Sequence, residues 1–389
     1  MYLSRSLVLA VLEEYVESGL SKSKPARCLD LLAGPGINGL LWAKRLARRV
    51  EVILNCSKAS AEIVERNLQR NSLVAEIETK DPCALLHERG YNFVYIDCVG
   101  EGCIYFDAVF RNLARNGVVI FTGKDDSLLH GGSYDAAMRK YGGRIIRTHY
   151  ARELGIRLFL GALARAAIRY NKMINVLFCT IHKNSFTVAV MAEKGCDSVD
   201  QYMNKLRLLK HCNVCEERAF YPFHNGFPVD GKSVNLGCDC ALNNKPNNAM
   251  EISGAATVAE SSHELGPLWA GDIFDASFIE KLIDNKRSDD PKVVYTLKCM
   301  LEEARCVSNG NVKISAGSPP FYYNLHKHHP KIAQQCKLSK VIVLLRNLGY
   351  RASSTHFDPL AVRTDARAKI ICQIMESEAK KSADKMDTF

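Results

Sequence analysis

A glycine-rich segment near the N-terminus contains the first residues whose types and spacing suit ligand binding. It reads Asp30-Leu-Leu-Ala-Gly34-Pro-Gly36-Ile-Asn-Gly39 and lies between a predicted strand and a predicted helix. Glycine lets the backbone approach a ligand, and the first amides of a helix have no partner within the helix. The spacing indicates a nucleotide-binding loop, but it does not distinguish NAD from S-adenosylmethionine or from a tight turn without a ligand.

Polar residues also follow the next two predicted strands. The second strand ends at Asn55-Cys56, where a carboxylate would be expected to hold the ribose of a bound nucleotide. Asn55 would make a neutral hydrogen bond there, weaker than a charge-assisted one by about 1 kcal/mol. Asp81 follows the third strand and has two interpretations: it accepts the adenine amino group, or it caps the helix that Pro82 begins.

Four cysteines form a second candidate site. Cys212-x-x-Cys215 is followed after 22 residues by Cys238-x-Cys240, which gives two close pairs of thiols. Two such pairs predict a tetrahedral structural Zn²⁺ site, and the alternative is four unrelated reduced thiols. His211 is a spare candidate ligand, interpreted as a surface residue or as a residue that supports the ligands.

The elements that must position the glycine segment alternate between short apolar runs and helical periods over residues 27–192, which indicates βαβ units in a mostly parallel sheet. Five strands are predicted, over 27–32, 50–54, 75–79, 93–96 and 117–121. The runs INVLFCTI and FTVAVMAE then form a hairpin, because only residues 182–185 separate them. Class I methyltransferases close their sheet with one reversed strand whereas dehydrogenases end parallel, so the hairpin favours S-adenosylmethionine over NAD.

The predicted fold class is therefore α/β, with a Rossmann-like S-adenosylmethionine methyltransferase sheet of seven strands, the last one antiparallel. We assign this domain to residues 1–194, because a cysteine cluster and a polar stretch replace the regular alternation of strands and helices after about residue 195. A smaller α+β domain is predicted over 195–379, with a surface loop over 243–262. Residues 380–389 are expected to be a disordered tail.

The composition and the apolar stretches argue against secreted and membrane-spanning proteins. The first fifteen residues predict an amphipathic helix rather than a secretory signal, and the longest apolar stretch is interrupted by Arg157 and Arg165, so no membrane span is expected. Fifteen cysteines scattered through apolar runs indicate a reducing compartment, the nucleus or the cytoplasm. A net charge of +10 favours a polyanionic partner, although a basic surface without a partner has the same charge.

Motifs along nearly the whole chain resemble those of the tRNA (guanine-N2) dimethyltransferases of the guanine-26 type, and in particular their animal methyltransferase-like paralogue branch. They are Leu29-Asp30 with Gly36-Ile-x-Gly39, Arg165-Ala-Ala, His211-Cys-x-x-Cys215-Glu-Glu-Arg, Gly266-Pro-Leu-Trp269, Pro320-Phe-Tyr-Tyr-Asn324, Thr355-His-Phe-Asp-Pro, and Arg363-Thr-Asp-Ala366. The resemblance implies an S-adenosylmethionine cofactor, a tRNA substrate, and a second domain over 195–379 that binds tRNA and contains a zinc site.

The resemblance also implies roles for single residues. In the family an Asp-Pro-(Phe/Tyr)-Gly motif after the fourth strand holds the guanine amino group and stacks on the base, and here the motif reads Asp97-Cys98-Val99-Gly100. Asp97 is the predicted catalytic residue. Val99 has no ring, and a lost base-stacking ring costs about 1–3 kcal/mol. Without proline at Cys98 the loop is expected to be freer. Arg5 matches the family arginine that contacts the cofactor carboxylate.

Basic residues provide candidate contacts with RNA. We name Arg139, Lys140, Arg157 and Arg165, which follow the fifth strand, and Arg363 in the second domain. These residues either contact the phosphates of a bound RNA or form solvated surfaces. Tyr322 and Tyr323 either stack on bases or belong to the core.

The sequence thus supports one leading function and two rivals. The leading hypothesis is a tRNA methyltransferase that transfers methyl groups from S-adenosylmethionine to the N2 amine of a guanosine in the guanine-26 region. The first rival is a weakened or inactive paralogue that binds tRNA, which the changes at Cys56, Cys98 and Val99 motivate. The second, an NAD oxidoreductase, lacks an acid near residue 55. A monomer fits the sequence, which leaves the oligomeric state open.

Overall fold

The computed structural model describes residues 2–20, 24–100, 102–125, 130–195, 202–224, 227–228, 234–238, 240, 262–308, 317–328 and 336–386. The chain divides into two compact units, each made of non-contiguous segments. Unit 1 comprises Met1–Asp126, Ala162–Tyr202 and Asp272–Arg305, and unit 2 comprises Ser127–Gly161, Met203–Gly271 and Cys306–Phe389. The division of function at residue 195 stays a prediction, and the predicted loop lies outside the described residues as far as residue 261.

Unit 1 is built on a seven-stranded sheet with the order β3-β2-β1-β4-β5-β7-β6. Its strands are β1 Ala26–Asp30, β2 Val50–Asn55, β3 Glu76–Glu78, β4 Tyr91–Val99, β5 Leu113–Lys124, β6 Lys172–His182 and β7 Ser185–Lys194. The pairs among β1 to β5 are parallel, whereas β7 is antiparallel to both β5 and β6. The Rossmann-like sheet with one reversed strand is thereby confirmed.

The described α-helices begin and end as follows: α1 Tyr2–Glu17, α2 Ile37–Leu46, α3 Lys58–Arg70, α4 Pro82–Glu88, α5 Phe106–Asn112, α6 Tyr134–Tyr141, α7 Ala151–Ile168, α8 Ala276–Asp284, α9 Pro291–Arg305, α10 Leu325–His328, α11 Leu338–Asn347 and α12 Ala368–Met386. Side-chain caps fix several of their N-termini. The Ser57 hydroxyl accepts from the Ser60 amide at 3.2 Å at the start of α3, and Ser133 caps α6 in the same way.

Helix α1 is buried more completely than an amphipathic helix would be. Leu7, Val8, Leu12 and Tyr15 are fully buried, and the acids Glu13 and Glu14 on the same helix are buried too. Glu13 pairs with Arg45 at 2.6 Å, and Glu14 pairs with Arg287 at 2.9 Å. The helix was predicted, but the acids that made it look amphipathic are buried, because arginines from elsewhere in unit 1 neutralise them.

Helices α8 and α9 belong to unit 1 although they follow residue 195 in the sequence. The Asp275 carboxylate caps α8 by accepting from the Phe278 amide at 3.0 Å. The Asp275 amide donates to the Leu177 carbonyl of β6 at 2.9 Å, and the Asn285 side chain donates to Glu14 of α1 at 2.8 Å. These two helices therefore complete unit 1, although the sequence analysis assigned them to the second domain.

Unit 2 combines helices with two antiparallel sheets. The larger sheet has the order β10-β9-β8-β11, with β8 Leu206–Cys212, β9 Arg218–His224, β10 Phe227–Pro228 and β11 Ser262–Trp269. The smaller sheet has the order β12-β14-β13, with β12 Tyr323–Asn324, β13 Ala352–Ser354 and β14 Ala361–Thr364. A core that includes Leu345, Val362 and Met375 packs α11 and α12 on the smaller sheet.

The last described helix corrects the predicted tail. Helix α12 continues to Met386, so residues 380–386 are helical rather than disordered, and residues 387–389 lie outside the described part. The reason is the composition of this segment, since alanine, lysine and methionine are strong helix formers and no proline or glycine interrupts them.

Candidate functional site

The glycine turn joins β1 to α2 at the carboxyl edge of the unit 1 sheet. Gly34 and Gly36 have φ angles of 51° and 82°, in the left-handed region that favours glycine. A Cβ atom on Gly36 would lie 2.9 Å from Cδ1 of Leu40, whereas a Cβ atom on Gly34 would meet nothing within 4 Å among the described residues. The turn therefore needs glycine for its backbone, and the space beside Gly34 is open to a ligand.

Asp30 ends β1 as a fully buried acid. Neither of its carboxylate oxygens forms a hydrogen bond with the part of the chain that the structure describes. Burial raises its pKa to about 7, the negative charge of Asp97 adds to this effect, and the amide groups of Asn38 and Gly39 and the charge of Arg5 offset part of it. A fully buried carboxylate with no hydrogen bond among the described residues is costly, which indicates a residue kept for a ligand.

Asp97 lies near the end of β4, on the strand adjacent to β1. Its side chain is exposed on one side. Protein on the other sides raises its pKa by desolvation, while the charge of Arg5 and the hydroxyl of Tyr95 lower it. Arg5 thus interacts with both acids of this edge, and we name Arg5, Asp30 and Asp97 the acid edge. The predicted contact of Arg5 with a cofactor carboxylate stays a prediction.

The segment from Asp97 to Gly100 is held in the sheet rather than loose. Asp97, Cys98 and Val99 pair in register with Thr122, Gly123 and Lys124 of β5, and the Gly100 amide donates to the Lys124 carbonyl at 2.8 Å. A Cβ atom on Gly123 would lie 2.2 Å from the Cys98 carbonyl oxygen, so only glycine fits there. The expectation of a freer loop without proline was wrong, because strand pairing supplies the restraint.

The polar residues after β2 and β3 have structural contacts of their own. The Asn55 amide donates to the carbonyls of Leu31 and Lys80, and its oxygen accepts from the Lys80 amide, all at 3.2 Å. Cys56 beside it is buried, and its pKa is raised by burial. Asp81 caps α4 by accepting from the Ala84 amide at 2.9 Å. The capping role of Asp81 is present, and the nucleotide contacts of these three residues stay predictions.

Two of the predicted RNA-binding arginines are buried, and for them the prediction was wrong. Arg157 is 2% exposed and Arg363 is 0% exposed, and both pair with Glu153, which is also fully buried. Arg157 donates to the carbonyls of Trp269 and Gly271, both at 2.9 Å, and Arg363 donates to the Pro319 carbonyl at 2.8 Å.

Glu153 is the centre of this arrangement, which we name the Glu153 cluster. Its pKa is lowered, because the charges of Arg363 and Arg157 outweigh the desolvation that burial imposes. It also accepts from the Phe321 amide at 2.9 Å. Sequence reading overlooked Glu153, although its position four residues before Arg157 is the spacing of a helical ion pair.

The other predicted RNA-binding residues differ in exposure. Arg139 is exposed at the end of α6, and Lys140 beside it is half-buried. Arg165 of α7 is half-buried, and burial lowers its pKa to about 10. Tyr322 and Tyr323 are buried, so their interpretation as core residues is the one that the structure supports.

The four cysteines predicted as ligands meet in unit 2. The sulfur atoms of Cys212, Cys215, Cys238 and Cys240 all lie within 4.8 Å of one another. Tetrahedral coordination at a metal–sulfur distance of about 2.3 Å places the sulfurs about 3.8 Å apart, so these thiols are close enough to hold one metal ion. Burial alone would raise the pKa of Cys212, but the amides of Cys215 and Val214 favour its thiolate and the net shift is downward.

The residues around this cluster explain the Cys-Glu-Glu-Arg motif. Glu216 accepts from the His149 amide at 2.9 Å, and Glu217 accepts from the Ala368 amide at 3.0 Å, at the start of α12. The Arg218 guanidinium lies 4.2 Å from the ring centroid of Tyr150 and 4.1 Å from that of Tyr323. The motif therefore connects the cysteine cluster to the core of unit 2.

His211 is a buried residue rather than a surface one. The Tyr150 hydroxyl and Nδ1 of His211 are 2.8 Å apart, and the described metal-binding group does not include the histidine. Burial lowers the pKa of His211 to about 4. It supports the chain beside Cys212 through Tyr150, which agrees with the second of its two interpretations.

No helix among the described residues is both long enough and apolar enough to cross a bilayer.

Comparisons with known proteins agree with this architecture. The chain is 29% identical over 442 residues to a human protein named tRNA (guanine(27)-N(2))-dimethyltransferase, in an alignment that covers 94% of this chain and 58% of the human protein. The chain thus spans less than two thirds of that relative's length. It is 26% identical to the tRNA (guanine(26)-N(2))-dimethyltransferase of Thermococcus kodakarensis, with 91% and 87% covered.

The solved structure of Trm1 from Pyrococcus horikoshii with S-adenosyl-L-methionine matches with a TM-score of 0.75 at 22% identity, over 96% of this chain and 92% of that chain. This likeness confirms the fold. A family model described as N2,N2-dimethylguanosine tRNA methyltransferase matches residues 1–376. Since that match covers nearly the whole chain, the protein belongs to the N2,N2-dimethylguanosine tRNA methyltransferase family.

Proposed function

We propose that this chain transfers methyl groups from S-adenosylmethionine to the N2 amine of a guanosine in tRNA. The observation that carries the proposal is the acid edge, at the carboxyl ends of parallel strands. Here the buried Asp30 carboxylate has no hydrogen bond among the described residues, and the space beside Gly34 is open. Ligands of open α/β sheets bind at this edge. Membership of the family and the single reversed strand support the same function.

The residues of the acid edge suit the cofactor. Arg5 would hold the carboxylate of the methionine moiety, and Asp30 would supply the negative charge that a cationic donor requires. Asn55, Cys56 and Asp81 line the following strand ends and would contact the ribose and adenine. When bound, S-adenosylmethionine supplies an electrophilic methyl group.

The chain's own contribution to the reaction is positioning. The Asp97 carboxylate accepts a hydrogen bond from the guanine N2 amine and aims its lone pair. The Cys98 carbonyl, fixed by pairing with Gly123, provides a second acceptor for the same amine. Asp97, whose pKa is raised by desolvation, would accept the proton that N2 loses when it takes the methyl group from the donor. Accurate positioning of this kind supplies a large part of an enzyme's rate acceleration.

Residues of unit 2 also have roles in the proposed function. A structural Zn²⁺ held by Cys212, Cys215, Cys238 and Cys240 would join the two cysteine pairs of unit 2. The exposed Arg139 and the basic charge of the chain would contact the tRNA backbone, in the nucleus or the cytoplasm.

The experiment is methyl transfer from labelled S-adenosylmethionine to an unmodified tRNA transcript. Transcripts in which adenosine replaces guanosine 26 or guanosine 27 determine the position, since relatives are named for both. We expect incorporation that is lost with one of the two transcripts. Tight tRNA binding without incorporation and without cofactor binding would instead establish the rival, a tRNA-binding protein without catalytic activity.

A further inference from the structure

Unit 2 contains a cavity beside the cysteine cluster, which the reaction proposed above does not use. Its volume is about 410 Å³, within the range of small-ligand sites. One side is the segment from Arg147 to His149, and the other includes Asn213 and Val214, which lie between the first two cysteines of the cluster. We name this cavity the knuckle pocket. His211 and Glu216 complete its lining.

The lining of the knuckle pocket is polar, and some of its polar groups already contact each other. Glu216 accepts from the His149 amide at 2.9 Å, and its oxygen lies 3.4 Å from Nδ1 of His149. Asn213 and Val214 are exposed, in the turn that a hydrogen bond of 3.0 Å from the Glu216 amide to the Cys212 carbonyl closes. The pocket therefore presents a carboxylate and an amide on a restrained backbone.

Thr148, which lines the pocket, has an unsatisfied polar atom. Its hydroxyl oxygen is buried and forms no hydrogen bond with the residues that the structure describes. A buried hydroxyl without a partner costs free energy, which a ligand that reaches this side chain from the pocket would recover. Arg147, the next residue, is exposed and provides a positive charge at the same cavity.

The chain just before Arg147 carries further groups that suit nucleic acid. The Arg144 guanidinium lies 5.4 Å from the ring centroid of Tyr134, and Tyr134 is 45% exposed. The Arg144 backbone is fixed because it exchanges two hydrogen bonds of 2.8 Å with Gly266. An exposed ring beside arginines suits an unstacked base and its phosphates, because RNA bases stack on aromatic and guanidinium planes.

We infer that the knuckle pocket binds one unstacked nucleotide of the tRNA substrate, an inference that rests on the proposed function. Arg147 meets the phosphate, and the Thr148 hydroxyl bonds to the phosphate or ribose oxygens. Glu216 and Asn213 face the base, which favours a base that carries an amino group as donor. The pocket thereby adds a second point of attachment for tRNA to the acid edge.

The test uses anisotropy titrations of the full chain with an unmodified tRNA transcript at several salt concentrations. Arg147→Ala removes the charge, and Thr148→Val removes only the unpartnered hydroxyl. The matched control is Arg70→Ala, since Arg70 is an exposed arginine at the C-terminal end of α3. This end of the helix lies at the amino ends of the parallel strands, whereas the glycine turn lies at their carboxyl ends.

We expect Arg147→Ala to weaken tRNA binding about tenfold and to reduce the slope of log affinity against log salt by about one. Thr148→Val should weaken binding about threefold without lowering the melting temperature, an outcome that a purely structural role does not predict. Arg70→Ala should stay within about twofold of the wild type.

Two negative outcomes are distinguishable. If the wild type binds and methylates tRNA while Arg147→Ala and Thr148→Val bind as tightly as Arg70→Ala, the knuckle pocket is not a nucleotide site and the proposed function stands. If the wild type does not bind tRNA at all, both proposals are overturned.

Discussion

The acid edge of unit 1 and the Glu153 cluster of unit 2 both contain acids and arginines, yet they differ in how these charges are satisfied. Glu153 has two arginine partners and a backbone amide within hydrogen-bond distance. Asp30 is equally buried, but its oxygens have no hydrogen bond among the described residues and its pKa is raised to about 7.

This difference separates charges kept for stability from charges kept for a ligand. A buried ion network with every group paired maintains the fold, whereas an unsatisfied carboxylate destabilises it and persists only where it is used. The motifs of both regions resemble those of one family, but only the contacts distinguish Asp30, whose oxygens have no hydrogen bond among the described residues, from Arg363, which is paired.

The largest expected effect is on the Glu153 cluster. Glu153→Ala would leave Arg157 and Arg363 buried without their carboxylate, so we expect a loss of about 3–5 kcal/mol in the free energy of unfolding. Urea denaturation of the purified chain measures this loss. Glu153→Gln, which keeps the acceptor oxygen, should lose less, and a Glu153→Ala variant within about 1 kcal/mol of the wild type would contradict the structural role of the cluster.

At the acid edge the expected effect is on turnover instead. Asp97→Ala should lower kcat for methyl transfer about a hundredfold with little change in unfolding free energy, because Asp97 is exposed on one side and its role is to orient the amine. Single-turnover assays with labelled cofactor measure the change, with the exposed Asp284→Asn as the matched control. Equal rates for Asp97→Ala and the wild type would remove Asp97 from the mechanism.

Asp30→Asn should increase stability while it weakens cofactor binding. The pKa of Asp30 is raised from 3.8 to about 7, so the folded state holds a proton that the unfolded state releases between these values, and stability falls as the pH rises through this window. Removing the charge should gain up to about 4 kcal/mol at pH 8 and less at pH 5. Melting temperatures of both proteins at the two pH values test this, and a gain that does not depend on pH would show that Asp30 is not the titrating group.

The smallest expected effect concerns the exposed basic surface. Arg139→Ala should weaken tRNA binding about two- to threefold, because a single exposed arginine contributes one screened phosphate contact at most. Filter binding at low and high salt measures it. An effect that persists unchanged at high salt would indicate a base contact rather than a phosphate contact.

Much of unit 1 was predictable from the sequence because its signals are local. Glycines before a helix, apolar runs of strand length and a short hairpin connection located the turn, the sheet and the reversed strand β7. The four cysteines were identified from their spacing alone, because one or two residues between two thiols permit few geometries.

The remaining features depend on contacts between segments distant in sequence. Arg157 and Arg363 read as surface cations until Glu153, 210 residues before Arg363, is placed beside them. The restraint on Cys98 comes from Gly123. Helices α8 and α9 complete unit 1 although they follow all four strands of the larger unit 2 sheet in sequence. Periodicity and propensity are local quantities, so they do not reveal pairings of this kind.

Calorimetric titration with S-adenosylmethionine tests most directly whether the acid edge is the cofactor site. We expect the wild type and Asp284→Asn to bind with a Kd in the micromolar range, about −8 kcal/mol, and Asp30→Ala to bind at least about tenfold more weakly. Absence of measurable binding by the folded wild type, or equal binding by Asp30→Ala, would contradict the assignment of this edge to the methyl donor.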